Sequence, residues 1–272
     1  MFRGIYTGTS AMLVQEKMLD VVGNNLANVD TSGFRGRVAV NKSFPEVLMD
    51  RVERYTIVDE ALNEELKDRK FSPYFRGRSP IGTISMTNVL SETTMSTERG
   101  PIQWTDNPTD VVLNGDGFFV VEDGNGNTFY TRSGHFQKND QGDLVTHDGE
   151  FIQGDGGRVN LGEATRIAIG DSGQIYADGE LVGALRVVEF ETPTYLRHVG
   201  KSLLEETDES GGPQDVETPS IISGGLERSN VQVVLEMVRM IEANRAFEAA
   251  GRAVTIQDEL SSRLFTSVGR PT

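Results

Sequence analysis

Histidine and cysteine, the residues that most often bind metals or act as nucleophiles, are scarce in this chain. It contains no cysteine, and its three histidines are His135, His147 and His198. The missing cysteine excludes disulfide scaffolds, CxxC redox sites and cysteine-bound zinc. His135 and His147 lie twelve residues apart without an HExxH sequence, which leaves little room for a metal site. The sequence therefore predicts neither a metal nor any other cofactor.

Segments that could bind a cation, a phosphate or an acyl group are all incomplete. Residues 123–127 (DGNGN) begin like a calcium loop, but Thr128 stands at its glycine position and Gly134 at its glutamate position. Residues 154–157 (GDGG) match neither GxGxxG nor a P-loop. Ser79 lacks the last glycine of GxSxG and precedes a proline. We expect the glycine-rich segments to be turns, and we do not expect an enzyme.

The charge of the chain is concentrated in its middle. The net charge is −15, and residues 101–150 (2 basic, 9 acidic) and 151–220 (5 basic, 13 acidic) contribute −7 and −8 to it. Such acidity argues against nucleic acid as a partner. The balanced ends favour a protein whose ends pack against other protein while its middle faces water. A soluble domain with a solvated acidic surface has the same composition, so both interpretations stay open.

Apolar runs are short in this sequence. The longest are four residues, such as Ala11–Val14 and Phe118–Val121, whereas a membrane-spanning helix needs about 18. The N-terminal sequence has neither a long apolar region nor a small-residue cleavage site. We therefore expect no membrane insertion and no cleaved signal peptide, so that the protein is either cytosolic or exported without such a signal.

The first thirty residues are predicted to form a helix with a coiled-coil type of apolar seam. The seam residues, seven positions apart, are Ile5, Met12, Leu19 and Leu26. The helix is expected to end within residues 24–33 (NNLANVDTSG), because Asn, Asp, Ser and Gly bond to their own backbone or adopt left-handed conformations. Besides the seam, the candidate assembly residues here are Asn24, Asn25, Asn28 and Gly33.

The strongest helical pattern lies near the C-terminus, where about 36 residues pass without proline and with one glycine, Gly251. Ser229 and Gln232 fit a capping box, in which the Ser229 hydroxyl accepts from the Gln232 N–H. The seam is rich in alanine, which permits close helix approach. The candidate assembly residues are Ser229, Asn230, Val233, Met240, Phe247, Ala250 and Val254.

A long helix with a seven-residue seam needs a partner, because it cannot bury that seam against itself. The two terminal helices could pair with each other or with neighbouring molecules. Charge-balanced ends around an acidic middle favour assembly between molecules.

Between the helices we expect antiparallel β structure, since apolar runs alternate with turn sequences about every 8–12 residues. The predicted turns are residues 123–127, 139–142, 148–149, 155–157, 171–173 and 178–179. Gly117 and Gly134 are expected to adopt backbone conformations that are costly for other residues. Ahead of this region, a short helix is expected at residues 44–49 with Pro45 in its first turn. Residues 50–70 are expected to be exposed and 71–100 to be extended.

The predicted fold class is α+β, with N- and C-terminal coiled-coil-type helices flanking a central all-β antiparallel domain. The expected divisions are an assembly helix and turn (1–33), an extended linking segment (34–100), a central β domain (101–204), an acidic linker (205–227) and a second assembly helix (228–272).

Four segments resemble signatures of the bacterial flagellar rod and hook family. Residues 24–35 (NNLANVDTSGFR) resemble its N-terminal NNLANxxTxGF(K/R) signature, and residues 114–121 (NGDGFFVV) resemble NGxGFFxV. Residues 130–136 (YTRSGHF) resemble YTRxGxF. Residues 225–248 resemble the C-terminal LExSNVxxxxEMxxMIxxxRxFE signature. The four segments occur in the family's order over nearly the whole chain, and residues 50–90 match least.

The resemblance implies a structural subunit of the flagellar basal-body rod. In this family the terminal helices line a hollow helical tube, the β domain lies outside, and the flagellar type III apparatus exports unfolded subunits through the tube. The implied partners are other copies of the chain, neighbouring rod and hook proteins and the export apparatus, and the implied location is the periplasmic rod. Residues 41–48 (NKSFPEVL) resemble proximal-rod sequences better than distal-rod ones, so the proximal type is expected.

A second function stays open, namely a secreted β-rich binding module whose terminal helices form a closed oligomer. The two functions differ in a measurable property, because rod subunits are monomeric or polymerise openly.

Overall fold

The computed structural model describes residues 2–54, 76–200 and 202–268. Side-chain surroundings are described for residues 4–42, 91–200 and 202–266. Helix α1 spans Phe2–Ala27 and helix α2 spans Val233–Val268, and β-strands fill the described sequence between them. The predicted α+β class with terminal helices flanking antiparallel β structure is confirmed. Among the described residues, no helix is both long and apolar enough to span a membrane.

The segment after α1 forms two long strands, β1 (Arg37–Arg54) and β2 (Arg76–Met95), which pair as a two-stranded sheet. The short helix predicted at residues 44–49 is therefore wrong, because this stretch lies inside β1. Proline is accepted in edge strands, and both strands of a two-stranded sheet are edges, so Pro45 does not prevent the strand. The predicted exposure of residues 50–70 lies outside the described side chains.

The shorter strands follow in chain order. They are β3 (Ile102–Trp104), β4 (Val111–Leu113), β5 (Phe118–Glu122), β6 (Thr128–Thr131), β7 (Phe136–Lys138), β8 (Leu144–Thr146), β9 (Phe151–Gly154), β10 (Gly157–Arg158), β11 (Ile167–Ile169), β12 (Gln174–Ala177), β13 (Glu180–Ala184), β14 (Val187–Glu189), β15 (Arg197–Val199), β16 (Leu203–Glu205), β17 (Gln214–Asp215), β18 (Ile221–Ser223) and β19 (Gly225–Glu227).

The largest sheet runs in the order β15-β16-β6-β5-β9-β8-β7, with β10 beside β9 and with β14 bonded to both β5 and β17. Both faces of this sheet are buried where β5 lies, because its alternate side chains enter two different apolar clusters. Phe119 and Val121 point into one apolar cluster, and Phe118 and Val120 into another. Because side chains alternate across a strand, an unbroken apolar run is what a strand covered on both faces requires.

Five of the six predicted turns lie between two consecutive strands from β5 to β13, and the turn predicted at residues 155–157 overlaps the first residue of β10, Gly157. The turn at residues 123–127 shows why Asp and Asn are common in these turns. The Asp123 carboxylate accepts hydrogen bonds from the backbone N–H groups of Asn125 (2.7 Å) and Asn127 (3.0 Å). These bonds stabilise the charged form and lower the Asp123 pKa to about 2. The side chain thus closes the hairpin from within, as Asx turns do, with no cation required.

The expected acidic linker at residues 205–227 instead contains β17, β18 and β19. These strands pair with β14, β4 and β3 respectively. Each is only two or three residues long, so no alternation of apolar and polar residues marks it in the sequence. Their partners lie elsewhere in the chain, so the conformation depends on pairing that the local sequence does not reveal.

The chain forms two compact units whose limits cut through both helices. One unit consists of residues 1–14, 41–90 and 248–272, and the other of residues 15–40 and 91–247. The second unit contains β3 to β19 together with the end of α1 and the start of α2. The expected divisions followed the secondary structure and placed each helix in a single segment.

Candidate functional site

The end of α1 is closed by its own asparagines. Asn28 donates from its side chain to the Asn24 carbonyl at 2.8 Å, and its backbone N–H bonds to the same carbonyl at 3.2 Å. The chain then turns through Gly33, whose φ is +69° and whose N–H donates to the Glu227 carbonyl at 2.8 Å. A Cβ on Gly33 would overlap the backbone of Ser133. Glycine is therefore needed here for both conformation and space.

Asn25, which is only 2% exposed, ties α1 to the first residues of β1. Its side-chain amide donates to the Arg37 carbonyl at 2.9 Å, and its carbonyl accepts from the Arg37 N–H at 2.8 Å. The side chain thus satisfies both backbone groups of Arg37, as a neighbouring strand would. This pairing fixes the direction in which β1 leaves α1.

Asn230, just before α2, performs a similar role from the other end of the chain. Its side-chain oxygen accepts from the Gly36 N–H at 2.8 Å. Its side-chain nitrogen donates to the Glu98 carbonyl at 2.8 Å and to Ser96 Oγ at 3.2 Å. One side chain therefore connects the segment after α1, the end of β2 and the entry to α2.

A buried ionic cluster lies beside these asparagines. Arg35 Nη2 is 2.7 Å from Glu227 Oε1, and Arg132 Nε is 3.2 Å from Glu227 Oε2. The three side chains are between 2% and 5% exposed. Arg35, Arg132 and Glu227 come from three of the four signature-like segments, so the segments meet at one place in the fold.

Hydrogen bonds to backbone carbonyls complete the surroundings of the two arginines. Arg35 donates to the carbonyls of Thr97 (3.1 Å) and Glu98. Arg132 donates to the carbonyls of Gly115 and Gly117. Burial is the largest influence on both guanidinium groups and lowers their pKa values, and the Glu227 charge opposes it. The pKa of Arg132 falls to about 10, so the guanidinium stays charged at neutral pH.

The entry to α2 differs from the predicted capping box. Ser229 Oγ accepts from the Val231 N–H at 3.3 Å, and α2 begins only at Val233. Gln232 occupies the position before the helix, and its carbonyl accepts from the Glu236 N–H at 3.0 Å. The capping-box prediction is wrong because Asn230 is engaged with Gly36, which holds residues 229–232 outside the helix.

The seam of α2 has the predicted seven-residue spacing. Covered positions alternately four and three residues apart are Glu236, Met240, Ala243, Phe247, Ala250, Val254, Gln257 and Ser261, and Gly251 beside them is also partly buried. Val233 is an exception, since 36% of it is exposed at the start of the helix. The α1 seam residues Ile5, Met12, Leu19 and Leu26 are half-buried.

In the first compact unit, the seams of α1 and α2 face each other. A Cβ on Gly8 would lie 2.5 Å from Val254 Cγ2 and 3.6 Å from the Ala250 carbonyl oxygen. A Cβ on Gly251 would lie 3.8 Å from Met12 Cε. The contacts run in opposite directions along the two helices, so the pair is antiparallel. Of the two pairings left open by the sequence, the one within a single chain occurs here.

The opposite side of α2 carries apolar residues that remain exposed. Near its start these are Val234 (76%), Met237 (49%), Val238 (46%) and Ile241 (52%). Their spacing of three, four and seven residues places them along one stripe. We call these four residues the outer stripe. Exposed apolar patches on soluble proteins often mark surfaces that bind another protein.

Sequence reasoning missed the central role of Arg132, Glu227 and Gly8. The first two were inside quoted signature segments, but only folding reveals that they share one buried ion cluster. Gly8 lies three residues after the seam residue Ile5, and its small size is the signal from which a close helix contact could have been predicted. The described residues contain no group of three or more His, Cys, Asp or Glu side chains arranged to hold a metal ion.

Three protein-family models match successive parts of this chain. The family described as Flagella basal body rod protein matches residues 5–35, and Flagellar hook protein FlgE/F/G D1 domain matches residues 112–177. The family described as Flagellar basal body rod FlgEFG protein C-terminal matches residues 222–266. The first match contains most of α1 and Arg35, the second contains strands from β4 to β12 and Arg132, and the third contains Glu227 and most of α2, so each match includes one residue of the buried cluster.

Similar proteins match over almost their full length. The flagellar basal-body rod protein FlgG of Bacillus subtilis is 31% identical over 97% of this chain and 98% of its own. FlgG of Buchnera aphidicola subsp. Schizaphis graminum is 30% identical over 97% and 99%. The rod protein FlgF of Caulobacter vibrioides is 31% identical over 99% of both chains. The chain belongs to the flagellar basal-body rod family.

Proposed function

We propose that this chain is a structural subunit of the flagellar basal-body rod, which polymerises through its terminal helices into a hollow shaft. The shaft transmits torque and conducts exported subunits, and the chain reaches it through the flagellar export apparatus. Its neighbours are other copies and adjoining rod and hook proteins in the periplasm. The role is structural and needs no catalytic group, cofactor or membrane insertion.

We assign the proximal rod on residues 41–48, whose sequence resembles proximal-rod proteins. The similar proteins carry two names, FlgG and FlgF, so the names themselves do not choose the rod type. Tagging this chain and imaging isolated rods by electron microscopy tests the assignment. Label at the end of the rod nearer the membrane is expected, and label only at the hook-facing end contradicts it.

The observation that carries the proposal is that α2 has one side covered by α1 and another side that is exposed and apolar. The seam packs against α1 in the first compact unit, where Gly8 meets Val254. The outer stripe remains exposed and is therefore available to another copy. In this proposal Met12, Ala250, Val254 and the other seam residues serve assembly by holding the helix pair together. The asparagines and Gly33 serve it by fixing how both helices leave the β domain.

Charge supports close packing of many copies through α2. The helix contains four arginines and five acidic residues, so copies stacked side by side bring together nearly equal numbers of both signs. The β domain carries the acidic excess, and like charges in one crowded layer would repel. Polymer contacts made by the helices leave that excess facing water.

A substitution in the outer stripe tests the proposal. We expect Ile241→Asp to abolish rods and swimming while the purified subunit melts as wild type does, because the position is exposed in the single chain. Phe247→Asp is expected to lower the melting temperature as well, since it puts a charge into the half-buried seam. Both readouts are needed, namely electron microscopy of rods and thermal unfolding.

Leu181→Asp is the matched control, because Leu181 is a 63% exposed apolar residue on β13 of the β domain. We expect those cells to build rods and swim. Rods built by Ile241→Asp cells would contradict the assigned face. A purified chain that forms a closed oligomer of fixed size would instead favour a secreted binding module.

A further inference from the structure

His135 and His147 are neighbours across two paired strands, although twelve residues separate them in the sequence. In the β7–β8 ladder, Phe136 pairs with Thr146 and Gln137 with Val145. One further step along the same register brings His135 opposite His147. Directly opposite residues of an antiparallel pair project from the same face with Cβ atoms about 5 Å apart. The two imidazole rings accordingly lie 5.5 Å apart between centroids.

One of these rings is held by a buried carboxylate. His135 Nδ1 is 2.7 Å from Asp110 Oδ1, and only 4% of the Asp110 side chain is exposed. Thr105 Oγ1 donates to Asp110 Oδ2 at 2.7 Å, and the Asn107 amide donates to Oδ1 at 3.2 Å. A carboxylate only accepts, so His135 Nδ1 carries the hydrogen, and in the neutral ring Nε2 has the free lone pair.

Such a carboxylate–histidine pair is the usual support of a metal-binding imidazole, because it fixes the tautomer and the ring direction. The His135 side chain is 36% exposed and His147 is exposed in the turn after β8, so an ion can reach both. With Zn–N bonds of about 2.0–2.1 Å and a ring nitrogen about 1.1 Å from its centroid, two imidazoles on one tetrahedral ion have centroids roughly 5 Å apart. The observed 5.5 Å is close to that separation.

We propose that His135 and His147 form a two-histidine binding site for a divalent transition-metal ion, with Asp110 as its positioning residue. Two imidazoles favour zinc and copper over calcium or magnesium. No third His, Cys, Asp or Glu of the described residues joins them, so water fills the other coordination positions. The ion would cross-link the two ends of the β7–β8 hairpin. The proposal does not depend on the rod function, because it concerns the β domain of a single chain.

Titration of the full purified chain with Zn²⁺, and separately with Cu²⁺, tests the site by calorimetry and by the copper EPR signal. We expect one ion per chain, with nitrogen coupling in the copper spectrum and weaker binding in acid, because protons compete with the metal for the ring nitrogens. His147→Asn removes a ligand and is expected to lower the affinity at least tenfold. Asp110→Asn keeps both ligands but removes the carboxylate, and a loss of about 10–100-fold is expected.

His198→Asn is the matched control, because His198 is the remaining histidine and is absent from this pair. Its affinity for Zn²⁺ is expected to equal that of wild type. Saturating Zn²⁺ should raise the melting temperature of wild type and of His198→Asn but not of His147→Asn. The site is refuted if wild type binds no ion, or if His147→Asn binds as tightly as wild type. Because His147 is exposed, its variant is expected to keep the wild-type circular dichroism spectrum.

Discussion

Gly8 of α1 lies so close to Val254 of α2 that a Cβ on the glycine would stand 2.5 Å from Val254 Cγ2. Two residues separated by 246 positions in the sequence thus share one point of closest approach between the helices. Glycine normally costs a helix about 1 kcal/mol relative to alanine. Here the space that it leaves for Val254 offsets that cost.

Gly8→Ala is therefore expected to destabilise the helix pair by about 1–3 kcal/mol, because it overpacks a close contact. Hydrogen exchange of α1 amides and thermal unfolding measure the change. Gly23→Ala, in the same helix, meets no described atom within 4 Å and is expected to gain up to ~1 kcal/mol. Adding Val254→Ala to Gly8→Ala should restore part of the lost stability, and equal effects of the two glycine substitutions would contradict the contact.

Glu227→Gln leaves Arg35 and Arg132 buried without their shared carboxylate. Breaking a buried ion pair costs about 3–5 kcal/mol, and we expect a loss of that size in chemical denaturation of the purified subunit. Asp30→Asn is the comparison, since it breaks an ion pair with Arg228 in which Asp30 is 85% exposed. That loss is expected to be below ~1 kcal/mol. Similar losses in the two variants would show that the buried cluster is not a special contributor to stability.

A substitution at Gly134 tests whether close approach of two backbone segments inside the β domain requires glycine. Gly117 and Gly134 were expected to have unusual backbone conformations, but neither has a positive φ, so that reason is wrong. A Cβ on Gly134 would instead overlap the Val111 carbonyl oxygen. Gly134→Ala is expected to cost about 1–3 kcal/mol or more. Gly115→Ala, where no described atom lies within 4 Å, should change the melting temperature little, and an unchanged Gly134→Ala would refute the steric reason.

His198 is expected to make stability depend on pH. Burial, followed by the charge of Arg37, lowers its pKa from 6.5 to about 4. The unfolded chain binds the proton near pH 6.5, whereas the folded chain binds it only near pH 4. Stability is therefore fully present above pH 6.5 and falls by roughly 3 kcal/mol as the pH drops to 4. Denaturation curves across this range should show a smaller decline for His198→Asn, and parallel declines would contradict the assignment.

Features encoded by neighbouring residues could be predicted from the sequence. The seven-residue seam of α2 and the Asp123 turn each depend on spacing or hydrogen bonds within a few residues. Local sequence signals gave wrong predictions where a residue distant in the chain determines the conformation. Pro45 suggested a helix start but lies in β1, and Ser229 suggested a cap but Asn230 is held by Gly36.

The buried cluster could not be predicted for the same reason. Arg35, Arg132 and Glu227 are separated by about a hundred residues each, and no periodicity relates them. The resemblance to the rod family identified the segments that contain them. It did not indicate that the segments meet, or that a carboxylate shared by two arginines holds them together.

The antiparallel contact between α1 and α2 also determines when the fold can be completed. A ribosome makes residue 254 some 246 residues after residue 8, so α1 is made long before its partner. Likewise, the hydrogen bond from the Gly33 N–H to the Glu227 carbonyl cannot form before residue 227 has been made. Contacts so distant in sequence form slowly, because the intervening chain must first be brought together. The contact between α1 and α2 and the contact between Gly33 and Glu227 can therefore form only after the intervening β domain has been made.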